Sequence, residues 1–404
     1  MAGPLSHIRV LDLSRIMAGP WSGQIFADLG ADVIKVERKG AGDDTRGWGP
    51  PFLKDRDGRD TTEAGYYLSV NRGKRSIEID LADSHDQAIV KALAAKSDIL
   101  LENFKVGTLG RYGLGYEDLK TVNPRLIYCS ITGFGATGPK RDQVAYDFMI
   151  QAMGGLMSVT GERDDAPGGG PQKVGVPIID MMTGMYATIG ALAALARRSE
   201  SGEGEFVDVG MLDVSVACLA NQAMNHLVSG ATPARKGNKH PNIQPQDVFA
   251  VSDGHIAIAV GNDEQFRRFA DAIGQPELAD DPRYTTNVER VRNLDTLHPL
   301  ICDRLAEQSL QHWIDAFGSR GVPCGPINTV PMVFEDPQVR HREMLRKLPH
   351  PIAGEVPQVV SPLRFTNAPL TFDTPPPLLG QHTDQILAEL GLPPRAEPAG
   401  KADR

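Results

Sequence analysis

The chain reads as an α/β protein: a Rossmann-like parallel sheet in a large domain, plus a smaller α+β domain. Three observations predict this. Short apolar runs alternate with helical patterns over the first 135 residues, the mark of parallel βαβ units in a doubly wound sheet. Between 230 and 250 the composition shifts to Gly, Pro, Asn, Gln and Lys, which marks a loop or linker. The last 70 residues are rich in Pro and poor in long periodic segments, so they are expected to pack back over the first domain. The expected division is therefore 1–229 for the N-terminal part of the large domain, 230–330 for the small one, and 331–404 for the returning segment.

The elements follow in order. Residues 8–13 form an apolar run expected as a buried strand, and Ala18-Gly19-Pro20 opens a helix to about 29. Further strands are expected at 32–37, 76–81, 98–102 and 126–131, with helices at 84–96 and 116–121. Residues 144–229 read as mostly helical. After the linker come a strand at 254–261 and helices at 263–273, 284–306 and 309–318. In such sheets ligands bind at the carboxyl ends of the strands.

With 404 residues, 41% hydrophobic and 23% charged, the chain is long enough for a sizeable core. A net charge of -9 argues against nucleic-acid binding and against a polybasic membrane anchor. The four cysteines show no metal spacing, so no metal site is expected, and they suit reduced thiols of a cytoplasmic protein. The N-terminus lacks the pattern of a secretory signal. The most apolar segment, 181–196, is short and rich in Gly and Ala, so no membrane span is expected.

Asp180 is the most informative residue. It is a lone carboxylate between the apolar runs 176–179 and 181–195. An unsatisfied charge there is costly. By spacing it reads as a helix N-cap, and a carboxylate at a helix N-terminus is also accessible as an anion. Gly184, Ala187, Ala191 and Ala194 give the following helix one small-residue face. Asp147, after Tyr146, likewise reads as a cap of its own helix. The first βα turn lacks a G-x-G-x-x-G fingerprint, so a plain βαβ unit competes with a nucleotide site there. Arg38 beside Lys39, at the second strand end, suits a phosphorylated ribose. Arg72, Lys74, Arg75, Lys105 and Arg111 lie at loops after strands, where they face one crevice or form a solvated surface. The segment 235–242, with Gly237 and Asn238, reads equally as a mobile lid or an interdomain linker. No catalytic triad order, phosphate loop or HExxH pattern is present.

Taken together, the segments resemble the family III CoA-transferases, the group containing formyl-CoA transferase and carnitine CoA-transferase. The resemblance runs through nearly the whole chain. It is carried by Arg9-Val10-Leu11-Asp12-Leu13-Ser14, Ala18-Gly19-Pro20, Gly30-Ala31-Asp32-Val33-Ile34-Lys35-Val36-Glu37, Gly42-Asp43, Thr45-Arg46, Asn71 with Lys74-Arg75-Ser76, Glu102-Asn103-Phe104, Ser130, Gly133-Phe134-Gly135, Tyr146-Asp147, Gln151-Ala152, Asp180 and Leu379-Gly380-Gln381-His382-Thr383.

The resemblance implies a nucleophilic aspartate, which falls on Asp180, and coenzyme A as a substrate with no tightly bound cofactor. It places CoA contacts on Ile16, Met17, Ala18, Arg38, Lys74, Arg111 and Tyr112. Arg15, Phe134, Tyr146, Gly237 and Asn238 become candidates for the acyl pocket or oxyanion. It further implies an interlocked homodimer. Formyl-CoA transferase carries Gln where this chain has Met17 and His where it has Arg15. It also has a Lys and a Tyr around the 132–134 turn and a longer glycine-rich loop than Gly237-Asn238, so these departures turn the reading away from formyl-CoA and oxalate. Similarity to the dicarboxylate branch, with a spare Arg15, points to small dicarboxylates such as succinyl-CoA with glutarate. The α-methylacyl-CoA racemases of the same superfamily use a His where this chain has Tyr146. Outside the family the alternatives are an NAD(P)-linked dehydrogenase, disfavoured by the missing glycine fingerprint, and an acyl-CoA binding protein without catalysis.

Overall fold

The computed structural model describes residues 3–395. Within them, two compact units are distinguished. One takes Leu156–Val174 and Asn221–Asp336; the other takes Gly175–Ala220 and the described residues before 156 and after 336. This differs from the division expected at 229 and 330. Residues 156–174 belong with the smaller unit although they lie in the middle of the helical region.

The larger unit is built on six parallel strands: β1 (Arg9–Asp12), β2 (Asp32–Arg38), β3 (Lys74–Ile79), β4 (Ile99–Glu102), β5 (Ile127–Thr132) and β6 (Glu205–Gly210). Their spatial order is β3-β2-β1-β4-β5-β6, with every neighbouring pair parallel. The order reverses between β1 and β4, the switch point of a doubly wound sheet. Both faces are covered, so the strands are apolar throughout rather than alternating. Leu11, Ile34, Ile77 and Leu100 face one core. Val10, Val33, Ile99 and Ile127 face the other.

Helices α1 (Ala18–Asp28), α2 (Ser84–Ala95), α3 (Tyr116–Val122), α4 (Asp147–Met153), α5 (Ile178–Ser201) and α6 (Met211–Cys218) complete the unit's main architecture. The long α5 buries Gly184, Ala187, Ala191 and Ala194. A Cβ at Gly184 would stand 2.5 Å from the carbonyl oxygen of Ala18, so the small-residue stripe lets α5 press directly on α1. This helix has 24 residues, longer than its sequence suggested, and its mean hydropathy of 1.5 meets a membrane-length criterion. Part of its apolar surface packs on α1 and the sheet, while Met185, Tyr186 and Ile189 stay exposed.

Two expectations shift. The third strand starts at Lys74, because the charges of Lys74 and Arg75 are paired with Asp12 and Asp32 inside the fold. The helical reading of 144–229 missed β6, whose partners lie in β5, far away in sequence.

The smaller unit carries an antiparallel three-stranded sheet, β7 (Gln246–Val251), β8 (Gly254–Ala259) and β9 (Cys324–Pro326). Aromatic residues Phe266, Phe269, Trp313 and Phe317 fill its core. The single helix expected over 284–306 is two, Asn287–Arg292 and Leu294–Leu305. Asn293 interrupts it, its side-chain amide donating to the carbonyls of Arg283 and Glu289.

The segment after 336 packs on the larger unit. Arg72 donates to the Val359 carbonyl at 2.8 Å, His382 N–H donates to the Ser76 carbonyl at 3.0 Å, and Ile386 and Leu387 enter the core beside Ile77.

Candidate active site

The carboxyl ends of β1 and β4 meet at the switch point, and a direct clamp joins them. Arg15 N–H donates to Asn103 Oδ1 at 2.8 Å, and Asn103 Nδ2 donates to the Arg15 carbonyl at 2.7 Å. The next residue, Ile16, has φ +73°, a left-handed conformation that a β-branched residue rarely adopts. Such a residue costs of order 1–3 kcal/mol and persists only where its surroundings enforce it. Here the enforcement comes from Asn103 and from Asp43 Oδ1, which accepts the Ile16 N–H at 3.3 Å. Asp43 is itself fixed by Lys35 at 2.9 Å and by Thr45. Burial alone would raise its pKa, but the charge of Lys35 and the Thr45 hydrogen bonds outweigh it and hold the carboxyl at about 2.

This turn forms one wall of a cavity of about 320 Å³. Arg15, Ile16, Met17 and Ala18 line it, with Asn103 and Lys105 after β4, Gly133 after β5, and Tyr146. Asp180 lines it as well.

Asp180 is not a cap. It is the third residue of α5, whose N-cap is Pro177. The cap comes from another helix. Asp147, at the start of α4, accepts the Ile179 N–H at 2.7 Å and the Asp180 N–H at 3.1 Å through one carboxylate oxygen. It therefore caps α5 rather than α4. Spacing identified both aspartates as helix-start residues and assigned each to its own helix; only the fold pairs them.

The Asp180 side chain is 9% exposed. Among the described residues no donor within hydrogen-bonding distance of its carboxylate is found. Burial raises its pKa to about 7, with the negative charge of Asp147 adding to the rise. The helix N-terminus supplies a partial positive charge, but it is not enough to offset the loss of water. Asp180 is thus a basic, desolvated carboxylate, close to half ionised at neutral pH. Strongly perturbed groups in a cleft mark functional sites. Tyr66, whose phenol is pushed up to about 12 by burial and then by Asp180 and Asp147, borders the same acidic pair. It packs edge-on against Trp48. Neither residue carried a motif that would have singled it out.

A second cavity, of about 250 Å³, opens beyond the first turn. Arg38 and Tyr112 line it, and Arg15 and Phe104 border both cavities. Arg38 Nη2 donates to Asp44 at 3.2 Å.

The structure brings together Arg15, Ile16, Met17, Ala18, Tyr146 and Asp180, with Arg38 and Tyr112 in the adjoining cavity. It separates others. Lys74 is wholly buried and donates to Asp12 at 2.8 Å, to the Pro20 carbonyl at 2.8 Å and to Asn71 at 2.9 Å. All three of its donor positions are used inside the protein, so it is an internal strut rather than a ligand contact. Arg111 is exposed and lines neither cavity. Phe134 is half-buried beside Lys140, and its neighbour Gly133 takes the cavity wall. Gly237 and Asn238 lie in the smaller unit. There Gly237, at φ +62°, donates to the Gly161 carbonyl, and Asn238 borders a separate cavity with Gln246 and Cys324. Among the described residues no cluster of three or more His, Cys, Asp or Glu side chains could hold a metal ion.

Comparison with known proteins agrees with this architecture. The family model described as CoA-transferase family III matches residues 5–383. The chain is 47% identical to succinate–glutarate CoA-transferase of Agrobacterium fabrum, covering 96% of each. It is 41% identical to human succinyl-CoA:glutarate CoA-transferase, covering 96% of this chain and 86% of that one. It is also 41% identical to acetyl-CoA:oxalate CoA-transferase of Acetobacter aceti, covering 85% and 86%. The crystal structure of a CAIB/BAIF family protein from Brucella suis superposes with a TM-score of 0.84 at 47% identity, covering 96% of this chain and all of that one. A switch-point cavity lined by a buried carboxylate, on a sequence that the family model matches over residues 5–383, means that this chain is a CoA-transferase and belongs to family III of those enzymes.

Proposed function

We propose that this enzyme moves CoA between small dicarboxylates, with succinyl-CoA as donor and a glutarate-like acid as acceptor, and that Asp180 is the acyl-accepting nucleophile. The observation that carries the mechanism is the state of Asp180: buried, without a hydrogen-bond donor to its carboxylate among the described residues, and facing a cavity. A carboxylate with a raised pKa is more basic and more nucleophilic, and once ionised it needs no general base.

The reaction proceeds by exchange at carbonyl carbon. Asp180 attacks the thioester carbonyl; the C–S bond breaks, CoA leaves as thiolate, and an aspartyl–acyl anhydride remains. The thiolate attacks the Asp180 carbonyl, releasing the donor acid as its carboxylate and leaving an aspartyl–CoA thioester. The acceptor carboxylate attacks that thioester to form a second anhydride. Returning thiolate takes up the acceptor's acyl group and frees Asp180. Each step makes one bond and breaks one of similar energy, so no ATP is consumed. Buried near the carboxylate, dipoles count for more than in water.

The substrate assignment is supported by relatives named for succinate and glutarate and by the cationic Arg15, Lys105 and Arg141 along the cavity. The cavity lining contains no histidine, which favours acyl exchange over the imidazole-dependent proton transfer of a racemase. Arg38 and Tyr112 fit a CoA-nucleotide subsite beside the acyl cavity. A homodimer is supported by the apolar side chains that α4 and α5 leave uncovered, among them Phe148, Met185, Tyr186 and Ile189. Light scattering on the purified protein tests it.

The decisive experiment is a panel of free mono- and dicarboxylic acids assayed with succinyl-CoA, with hydroxylamine trapping of the loaded enzyme. Turnover with dicarboxylates and a hydroxamate on Asp180 by mass spectrometry is the expected result. Activity with monocarboxylates alone refutes the substrate; a hydroxamate elsewhere refutes the nucleophile.

A further inference from the structure

Arg15 stands where the two cavities meet and borders both. Its backbone cannot shift: Asn103 clamps it from two sides and Ile16 locks the next peptide. Its guanidinium lies 5.5 Å from the Phe104 ring centroid and donates from Nη1 to Asp44 Oδ2 at 3.0 Å. Among the described residues Nε and Nη2 have no hydrogen-bond partner. Those two N–H groups form the side-on fork that matches a carboxylate in two parallel bonds. The other cations of the cavity, Lys105 and Arg141, are exposed and have no ion-pair partner or side-chain clamp among the described residues.

We propose that Arg15 is the specificity residue for dicarboxylates: its open fork holds the distal carboxylate of the acyl group, sorting diacids from monoacids and keeping that carboxylate away from the activated carbonyl. This rests on the CoA-transfer reading above and deepens it.

The second role follows from the chemistry of a succinyl group. Its distal carboxylate sits two methylenes from the activated carbonyl. In the aspartyl–succinyl anhydride that carboxylate can attack the succinyl carbonyl, forming a new C–O bond and expelling Asp180 as carboxylate. The product is cyclic succinic anhydride, which water opens to succinate. The acyl bond is then lost without transfer. Intramolecular reactions of this kind reach effective molarities of about 10⁵–10⁸ M when the groups are aligned. A fork that pins the distal carboxylate in an extended chain removes the alignment. Selection and protection are thus two consequences of one contact.

The test compares wild type, Arg15→Gln and Arg15→Lys, with succinyl-CoA as donor and either glutarate or pentanoate as acceptor. These acceptors have the same chain length and differ by one carboxylate. Losing a charge-assisted hydrogen-bonded contact predicts that the glutarate-to-pentanoate ratio of kcat/KM falls about 10- to 100-fold in Arg15→Gln. Arg15→Lys, which keeps the charge and loses the fork, should fall in between. Free CoA released per glutaryl-CoA formed should rise in the same order. The ratio is internal to each protein, so partial misfolding does not move it. A wild type that prefers glutarate, with that ratio unchanged in Arg15→Gln, overturns the role of Arg15 and leaves the transfer reading standing. A wild type inactive toward every dicarboxylate overturns both.

Discussion

Two sets of buried carboxylates lie at the same edge of one sheet, and they are treated in opposite ways. Beneath the first turn, Asp12 meets Lys74 and Ser14, Asp43 meets Lys35, and Glu37 meets Arg46. Burial works against each of them, yet the paired cations prevail and their pKa values are lowered. At the start of α5, Asp180 has no cation paired with it among the described residues and a second carboxylate beside it. The first set stabilises a turn; the second is left uncompensated, as the proposed nucleophile requires. The difference lies in the partner rather than in the burial.

The largest expected effect is on activity. Asp180→Asn should lower kcat by about 10⁴-fold or more, the scale for loss of a covalent nucleophile, measured by steady-state exchange with succinyl-CoA. Substantial turnover in that variant would mean that the unpaired carboxylate is not the reactive one.

The same substitution should stabilise the fold at high pH. The folded protein holds the Asp180 proton up to about pH 7, while an unfolded aspartate releases it near 3.9. Between those values the folded state binds more protons, so this group's contribution falls as pH rises, by an amount on the order of 4 kcal/mol. Asn has no such slope. The difference in Tm between Asp180→Asn and wild type should therefore be small near pH 4 and grow toward pH 8. Asp43 has the opposite slope: its stabilisation is complete above its unfolded value and is lost as pH falls toward 2.

Breaking the paired set should cost stability instead. Lys74→Ala leaves Asp12 buried without its principal cation, a change worth about 3–5 kcal/mol. Urea unfolding measures it, and a neutral result would remove the contrast between the two sets.

A smaller effect sharpens the comparison at Asp180. Asp147→Asn keeps an oxygen to accept the Ile179 and Asp180 N–H groups but removes the like charge. The acidic limb of the kcat/KM–pH profile, expected near 7, should move down by about one unit or less, because burial remains the larger cause. An unmoved limb would assign the whole rise to burial. The smallest change is expected at Arg38, which is mostly exposed and shares Asp44 with Arg15. Arg38→Ala should raise KM for CoA esters by roughly threefold to tenfold while leaving the identity of preferred acids unaltered. An unchanged KM would return it to the solvated surface.

Much of the architecture was legible in the chain because it is local. Period and composition located the first strands and helices, the small-residue face of α5, and Asp180 at its start. What failed was long-range. Strand β6 was hidden because its apolar character is modest and its pairing partner lies some 75 residues away in β5. Lys74 looked like a loop cation reaching for phosphate, since nothing nearby in sequence reveals that Asp12 and the Pro20 carbonyl take two of its donors. Tyr66 and Asp44 had no pattern of their own.

By itself the sequence determined the class of fold, the turn at the switch point and the identity of the lone carboxylate, since each depends on hydrophobic period or on residues a few positions apart. The tertiary structure alone decided which carboxylates are neutralised. It gave Asp147 to the helix of Asp180, put Lys74 inside, and left the Asp180 carboxylate with neither donor nor cation among the described residues. The reason is physical: a charge's free energy depends on solvent and partners in three dimensions, and both are set only when distant segments of the chain have come together.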